Sequence, residues 1–292
     1  MYFYQEFDVC ANLQPWVECI WVLHDKSGRF KNWSRLLPDN TLEVVLTQNN
    51  IRRRHNYSKQ NFYSGSSHVA CLKTNLQFVS ISNDVNLIGA RIKPFAWRVF
   101  SDKNPVQYVN SIISIEDYFR NSNQSFLGEL HLESDLMIRH KLLEFFLLSN
   151  LNEKIISGIS TIQCATERIL SSHGNIKISQ LAQECNCSEK TLERYFYYYI
   201  GVSPKQYAKL IRIRSLLNYK LNTNDCNASK CAETLGFYDA THFFKELKNI
   251  AHAKPSEILS SQSSDENNIQ LYMLERSKGL SQLSSGTDNS HL

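Results

Sequence analysis

Short apolar runs of strand length dominate the first third of the chain, and helical spacing takes over beyond it. Residues 16–23 form a bulky apolar run, residues 41–47 follow the turn-like Pro38-Asp39-Asn40, and 76–81 and 85–92 continue the series. Short strands separated by polar breaks predict a sandwich or small barrel. Residues 94–100, opened by Pro94, predict a helical turn packed on that sheet. From Ser125 the period changes: Phe126, Leu127, Leu130, Leu136, Ile138, Leu142, Leu143, Phe146 and Leu147 recur at helical spacing and predict one or two amphipathic helices. The run Phe145-Phe-Leu-Leu148 is apolar on more than one face, which reads as interdomain core or as a dimer helix. Ser157-Gly158 is the expected joint between the halves.

Beyond that joint one phrase is written twice. The first copy runs Ile178-Ser-Gln-Leu-Ala182, then Cys187-Ser188, then Thr191-Leu-Glu-Arg-Tyr-Phe196, then Gly201-Val-Ser-Pro204. The second runs Cys231-Ala232, Leu235-Gly236-Phe237, Thr241-His-Phe-Phe-Lys245, Leu247-Lys248 and Pro255. Two copies of one supersecondary unit at matched spacing are not expected from composition alone. The phrase fits a helix-turn-helix: a small residue lets the second helix cross close by, a short turn follows, and that second helix packs one face inward while offering the other to a major groove. In copy one the small residue is Ala182, the turn is Asn186-Cys187, and Ser188 is the expected N-cap, with Glu189 favouring the helix dipole. Gly201 ends that helix and Pro204 starts a long one that joins the two lobes. In copy two Ala232, Gly236 and Asp239 take the corresponding roles.

The same periodicity divides each reading helix into two faces. Leu192, Tyr195 and Phe196 point to the core, and Lys190, Thr191, Glu193 and Arg194 point outward. Arg can fork onto guanine, Thr can touch a thymine methyl and Glu can accept from cytosine. In the second copy Phe243 and Leu247 point inward; Ala240, Thr241, Phe244 and Lys245 point outward. Phe244 either packs on a thymine methyl or sugar edge or covers a neighbouring helix. His242 is a phosphate contact or a structural histidine. On the joining helix Arg212 reads equally as a phosphate contact and as solvated charge, and Arg214 as a structural ion pair. Tyr197, Tyr198 and Tyr199 read as core-edge packing or phosphate contacts. The densest basic run, Arg52-Arg53-Arg54-His55, reads as a solvated loop tip between strands.

Composition changes this picture little. The chain has 292 residues, enough for two domains, and a formal net charge of +4. Residues 160–260 hold 13 Lys/Arg against 9 Asp/Glu, so the case for nucleic acid rests on pattern rather than bulk charge. The eight cysteines form no CxxC pair, and they read as small reduced core residues without metal or disulfide roles. No signal peptide or membrane-spanning stretch is evident, so a cytoplasmic location is expected. From residue 261 onward low hydrophobicity predicts a disordered tail, interrupted by an apolar island at 269–274.

The duplicated segment resembles the DNA-binding domain of the AraC/XylS transcription regulators. The likeness rests on Ile178-Ser-Gln-Leu-Ala, on Cys187-Ser188 with Leu192, Arg194 and Phe196, on Gly201-x-Ser-Pro204, on Leu210-Ile-Arg-Ile-Arg with Leu217, on Leu235-Gly-Phe237, on Asp239-Ala-Thr-His-Phe-Phe-Lys245, and on Pro255-Ser256. His252 and Lys254 depart from it, since the family usually has Gly and Ser there. The resemblance implies two lobes joined by a helix, with both reading helices in successive major grooves. The amino-terminal half, through Leu36-Leu-Pro-Asp39 and Gly89-Ala-Arg-Ile-x-Pro94-Phe, resembles a β-rich domain fused to some of these regulators, which implies a half that senses a small-molecule effector or mediates association as a homodimer.

The expected fold is therefore α+β with two domains. Residues 1–124 form a β-rich sandwich or barrel-like domain and 125–158 a helical connector. Residues 159–260 form an all-α domain of two helix-turn-helix lobes joined by a linker helix, and 261–292 the tail. The expected function is a sequence-specific transcription regulator that binds double-stranded DNA, with no cofactor, no metal and no membrane partner. Two rival readings stand beside it. One is a helix-turn-helix-derived interaction protein that no longer touches DNA. The other is a ligand-processing enzyme fused to a DNA-binding domain, against which His24, His55, His68 and His131 are scattered singly and no Gly-rich phosphate loop or Gly-x-Ser-x-Gly appears.

Overall fold

Among the described residues, ten strands build two antiparallel sheets: β1 (Tyr2–Phe7), β2 (Val17–Asp25), β3 (Ser34–Leu36), β4 (Leu42–Leu46), β5 (Ile51–His55), β6 (Asn61–Gly65), β7 (His68–Ala70), β8 (Gln77–Ile81), β9 (Val85–Ile92) and β10 (Ile112–Ile113). The larger sheet runs β1-β2-β9-β4-β7-β10 and the smaller β3-β8-β5-β6. The structure is a computed structural model that describes residues 2–222 apart from 32, 37, 39, 56–60, 83, 122–123 and 153–156, together with Thr241, Lys245 and Lys248.

The period of two along a strand sends alternate residues to opposite faces. In the larger sheet both faces of the central strands are covered. Val17, Ile20 and Val22 of β2, Leu42, Val44 and Leu46 of β4, and Ile88, Ala90 and Ile92 of β9 meet the helices. Cys19, Trp21 and Leu23 of β2, Val45 of β4, and Val85 and Leu87 of β9 meet the smaller sheet, with Leu36, Ile51, Val79 and Ile81. A sheet covered on both faces needs continuous apolar runs, which is why 16–23 and 85–92 show no clean alternation. Gly89 is required by close approach: a Cβ there would fall 2.3 Å from the Val44 carbonyl and 2.4 Å from the Trp21 ring.

The basic run 52–55 corrects the expectation of a loop tip. It is β5, paired with β8 on one side and β6 on the other. Arg53 points between the sheets and is buried beside His68, Nη2 to Nε2 3.1 Å. Arg54, on the opposite face, lies over the rings of Trp33 (4.4 Å) and Phe78 (5.0 Å), and Arg52 over Trp33 (5.6 Å). Aromatic faces cover the Arg52 and Arg54 guanidinium planes while Arg53 meets His68 between the sheets, so three consecutive arginines are accommodated in a strand.

The helices cover the outer face of the larger sheet. Pro94–Ala96 and α1 (Trp97–Phe100) form the expected helical turn, followed by α2 (Ile115–Tyr118). Then come α3 (Gln124–Leu132) and α4 (Leu136–Ser149), the predicted helix pair. Asp135 caps α4 by accepting from the Met137 and Ile138 amides. Phe146 stacks on Phe126 at 4.2 Å and meets Phe119 edge-on at 4.8 Å. Of the run 145–148, Phe146 and Leu147 are core, whereas Phe145 stands 72% exposed. The helical half follows with α5 (Ile159–Ser171), α6 (Ile178–Glu184), α7 (Glu189–Tyr199) and α8 (Pro204–Asn222). The architecture is a β-rich amino-terminal half and a helical carboxy-terminal half. One apolar cluster runs without a break from the sheet through Phe95, Trp97 and Phe100 to Ile162, Leu181, Phe196 and Ile211, so the first lobe shares its core with the β-rich half.

Candidate nucleic-acid interface

The first lobe follows from local sequence rules. Leu181 and Ala182 are buried on α6, and the small Ala182 lets α7 cross close by. The chain then turns through Asn186 in the left-handed conformation (φ 52°), which an asparagine tolerates, and the Cys187 amide bonds back to the Ala182 carbonyl at 3.0 Å. Ser188 caps α7 by accepting from the Thr191 amide at 3.1 Å, and Glu189 occupies the first turn. Leu192, Phe196 and Tyr199 are the buried face of α7.

Lys190, Glu193 and Arg194 are exposed on α7. Thr191 is half-buried, and its hydroxyl lies 3.0 Å from the Ser188 hydroxyl. Arg194 leans over the ring of Tyr195, 5.2 Å to its centre. Of the second reading helix, Thr241, Lys245 and Lys248 are described; each is helical and exposed, at a spacing that puts them on one face. Ala240, His242 and Phe244 lie outside the described residues, as do Ala232, Gly236, Asp239 and the tail expected from 261.

Arg212, read equally from the sequence as a phosphate contact and as solvated charge, has one nitrogen tied into the scaffold. Its Nε donates to the Gly174 carbonyl at 2.9 Å, tying α8 to the loop before α6. Gly174 has φ 78°, and a Cβ on it would fall 2.2 Å from the Ala208 carbonyl, so α8 approaches that loop backbone to backbone. Arg214 is the structural ion pair read from the sequence, but its partners are across the molecule: Glu18 at 3.2 Å and Asn40 at 3.0 Å.

The lobe is mounted on the β-rich half by the far end of α7. Arg98 donates to the Tyr198 carbonyl and lies over its ring at 4.3 Å. Tyr199 is buried, and its hydroxyl donates to the Ser157 carbonyl at 2.7 Å. Gly201 (φ 92°) packs on Pro105, where a Cβ would come within 2.8 Å of that residue's carbonyl. Tyr198 and Tyr199 are therefore mounting residues, and Tyr197 is exposed. None of these contacts involves Lys190, Glu193 or Arg194.

A second tie is electrostatic. A β-bulge between Val17 and Cys19 re-aims Glu18. Glu18 meets Arg214 of α8 on one side and stands 3.9 Å from Arg91 of β9 on the other. Arg91 also holds Glu6 at 3.0 Å and Glu43 at 2.8 Å. Burial pushes the Glu18 carboxyl up, but Arg91, Arg214 and Lys93 outweigh it and hold it below the ordinary value. For Glu43 burial wins and the carboxyl stands above the ordinary value, although Arg91, Lys73 and the Trp21 indole N–H (2.6 Å) pull it down.

Two cavities flank this network. One, of about 80 Å³, lies between the sheets with Trp21, Glu43, Arg53, Lys73 and Leu87 in its wall. The other, of about 670 Å³, is a cleft between the β-rich half and α5 and α8, walled by Glu18, Lys93, Phe95, His173, Tyr207 and Arg214. Burial, first of all, raises the Tyr207 hydroxyl to about 12, so it is a neutral hydrogen-bonding group. Burial likewise drops His68 to about 3, which keeps it neutral beside Arg53. No group of three His, Cys, Asp or Glu among the described residues is placed to hold a metal ion.

Sequence reasoning missed Arg91, Glu18 and Arg98 as organising residues. The bulge and the contacts that give them their roles are all long-range, and the local pattern carries no signal for them.

Known proteins resemble this chain in both halves. Residues 181–261 match a family described as a helix-turn-helix domain, and residues 5–114 match one described as a domain of unknown function, DUF6597. An uncharacterized HTH-type transcriptional regulator, YidL of Escherichia coli (strain K12), is 35% identical over 85 residues, which are 28% of this chain and 27% of the relative. The match thus spans about a quarter of that relative's length. Among solved structures, ToxT from Vibrio cholerae aligns over 80% of this chain and 98% of its own, with 12% identity and a TM-score of 0.47. Unsaturated fatty acid bound wild-type ToxT from Vibrio cholerae strain SCE256 aligns over 84% and 96%, with 13% identity and a TM-score of 0.46. No helix among the described residues is long and apolar enough to cross a membrane.

Proposed function

We propose that this chain, an AraC-type helix-turn-helix regulator, binds duplex DNA sequence-specifically with Lys190, Thr191, Glu193 and Arg194 of the first lobe and Thr241 and Lys245 of the second. Ala240, His242 and Phe244 join the second set by their place in the duplicated phrase. The observation that carries this reading is the outward stance of Lys190, Glu193 and Arg194 on a helix whose opposite face is buried and whose far end is tied to the β-rich half by Arg98. A reading helix needs that combination, because base contacts require side chains free in solvent and a backbone held in register. Binding to duplex DNA should weaken steeply with salt, as phosphate contacts release counterions. Capture of genomic fragments at moderate salt should return a shared site. Binding that ignores salt, or fragments with no common sequence, would favour the interaction-protein reading instead.

The β-rich half serves as the sensing and association module in this proposal. The effector site is assigned to the 670 Å³ cleft, because small-molecule pockets run to roughly 300–1,000 Å³. The 80 Å³ lumen holds only a few waters at about 30 Å³ of liquid volume each. The Arg214–Glu18 pair stands in the wall of that cleft, so an occupant there changes how the lobe is held. A ligand-induced thermal shift that survives Arg214→Ala unchanged would put the site elsewhere. Association is assigned to the outer face of α4, where Phe145 (72%), Met137 (53%) and Ile138 (47%) are exposed together. A two-fold pairing of that patch with itself would cover them. Phe145→Asp should shift the protein to monomer in light scattering without lowering its melting temperature; an unchanged mass would remove this face from the dimer.

A further inference from the structure

Among the described residues, three cysteines gather in the first lobe. Cys164 on α5 and Cys187 in the turn are partly exposed, and Cys185 at the end of α6 is buried. The Cys185 thiol donates to the Cys164 sulfur with 3.2 Å between the two sulfurs. A disulfide needs about 2.05 Å, so a closure of roughly an ångström separates the pair from a covalent bond. The sulfurs come from different helices. Cys164 lies mid-way along α5, and Cys185 directly precedes the turn that leads to Ser188 and the reading helix. The nearby Arg168–Glu184 pair, at 3.4 Å, joins the same two helices but is solvent-exposed and therefore a weak tie.

We propose that Cys164 and Cys185 form a modification site: a reversible disulfide, made by a peroxide-class oxidant, that clamps α5 to α6 at the foot of the reading helix. Cys164 is the partly exposed member and meets the oxidant first. Its thiolate attacks one peroxide oxygen and becomes the sulfenic acid; the other oxygen leaves as hydroxide and takes up the thiolate's former proton as water. The Cys185 sulfur then attacks the Cys164 sulfur. The S–O bond breaks, and the departing hydroxyl takes the Cys185 thiol proton as a second water. Two thiols are oxidised by two electrons, and one hydrogen peroxide is reduced to two waters. Burial, reinforced by the hydrogen bond to Cys164, raises the Cys185 thiol to about 12, so Cys185 is the less reactive thiol toward peroxide and attacks only once a sulfenic acid stands beside it. The bond closes a loop of intervening chain and restricts the unfolded ensemble, so the oxidised lobe gains thermal stability. This inference needs only the geometry of the lobe and stands independently of the DNA-binding proposal.

The test uses the full, pre-reduced protein with a stoichiometric amount of hydrogen peroxide at neutral pH, then N-ethylmaleimide and peptide mapping by mass spectrometry. The expected product is one cross-linked peptide pair containing Cys164 and Cys185, lighter by two hydrogens than its parts and released by dithiothreitol. The melting temperature should rise on oxidation and return on reduction. Cys187→Ser should retain the cross-link, and Cys164→Ser should abolish both it and the rise in melting temperature. Alkylation of both Cys164 and Cys185 after peroxide, a cross-link through Cys187 or through any cysteine outside the lobe, or irreversible sulfinic acid at Cys164 would each overturn the proposal. The wild-type map needs no variant, so a substitution that fails to fold leaves the test intact.

Discussion

Arg91→Ala is expected to destabilise the protein by about 3 kcal/mol, measured by urea unfolding at neutral pH. Removing one partner from a buried ion pair costs roughly 3–5 kcal/mol, because the remaining charge stays desolvated. Arg91 faces three carboxylates: Glu43 at 2.8 Å, Glu6 at 3.0 Å and Glu18 at 3.9 Å. Glu43 and Glu6 keep 16% and 25% of their side-chain surface in water, which puts the expectation at the lower end of that range. The pH dependence gives the prediction its signature. Without the guanidinium, burial and mutual repulsion raise the carboxyls in the folded state. A carboxyl raised by folding costs stability once pH exceeds its unfolded value and costs nothing below it. The deficit of Arg91→Ala should therefore shrink as pH falls from neutral toward 4. In the wild type Glu18, held low, contributes stability above the ordinary carboxyl value and loses it as pH drops through its own lower value. Glu43, held high, acts in the opposite sense. A double variant that also removes Glu43 should lose less than the two single losses combined, since the stranded charge goes with it. A deficit that does not change with pH would mean that Arg91 acts through packing alone.

That network also marks the limit of what the sequence discloses. The first lobe was legible almost residue by residue: the Ala182 crossing, the Ser188 cap, the turn at Asn186-Cys187, the Gly201 stop and the Pro204 start are all rules that act within a few residues. The apolar runs that became β2, β4, β8 and β9 were legible for the same reason. The run 52–55 was misread because local charge says "solvent", whereas Trp33, Phe78 and His68 arrive from elsewhere to cover it. The edge strand β1 and the short β3, β6, β7 and β10 gave too little pattern to be seen. The contacts that hold the lobe against the sheet were invisible too. Glu18 looks like any polar residue in an apolar run until the bulge turns it toward Arg214, 196 positions away. Arg214 reads as an ion pair from the sequence, but only the fold supplies its distant partners and ties Arg212 to the Gly174 carbonyl.

Arg194→Ala should weaken binding to the protein's own DNA site by about 1–3 kcal/mol if its guanidinium forks onto a base. That corresponds to roughly 5–150-fold in Kd. The side chain has the stance for this: it is exposed, it lies on the outward face of α7, and the described structure gives it the Tyr195 ring as a neighbour rather than a carboxylate. Arg194→Lys separates the two ways it can act. Lysine keeps the charge but loses the planar fork. A base contact predicts that the lysine variant fails nearly as badly as the alanine variant and relaxes the preference at one position, while the salt slope holds. A phosphate contact predicts that lysine restores most of the affinity and that alanine lowers the salt slope by about one. Arg212→Ala supplies the contrast from the same lobe. Its Nε is engaged by the Gly174 carbonyl, so its removal should lower the melting temperature while leaving the base preference of the folded protein unchanged. If Arg194→Ala leaves both affinity and preference untouched, α7 does not read DNA through this face, and its exposed charges serve only to keep the helix in water.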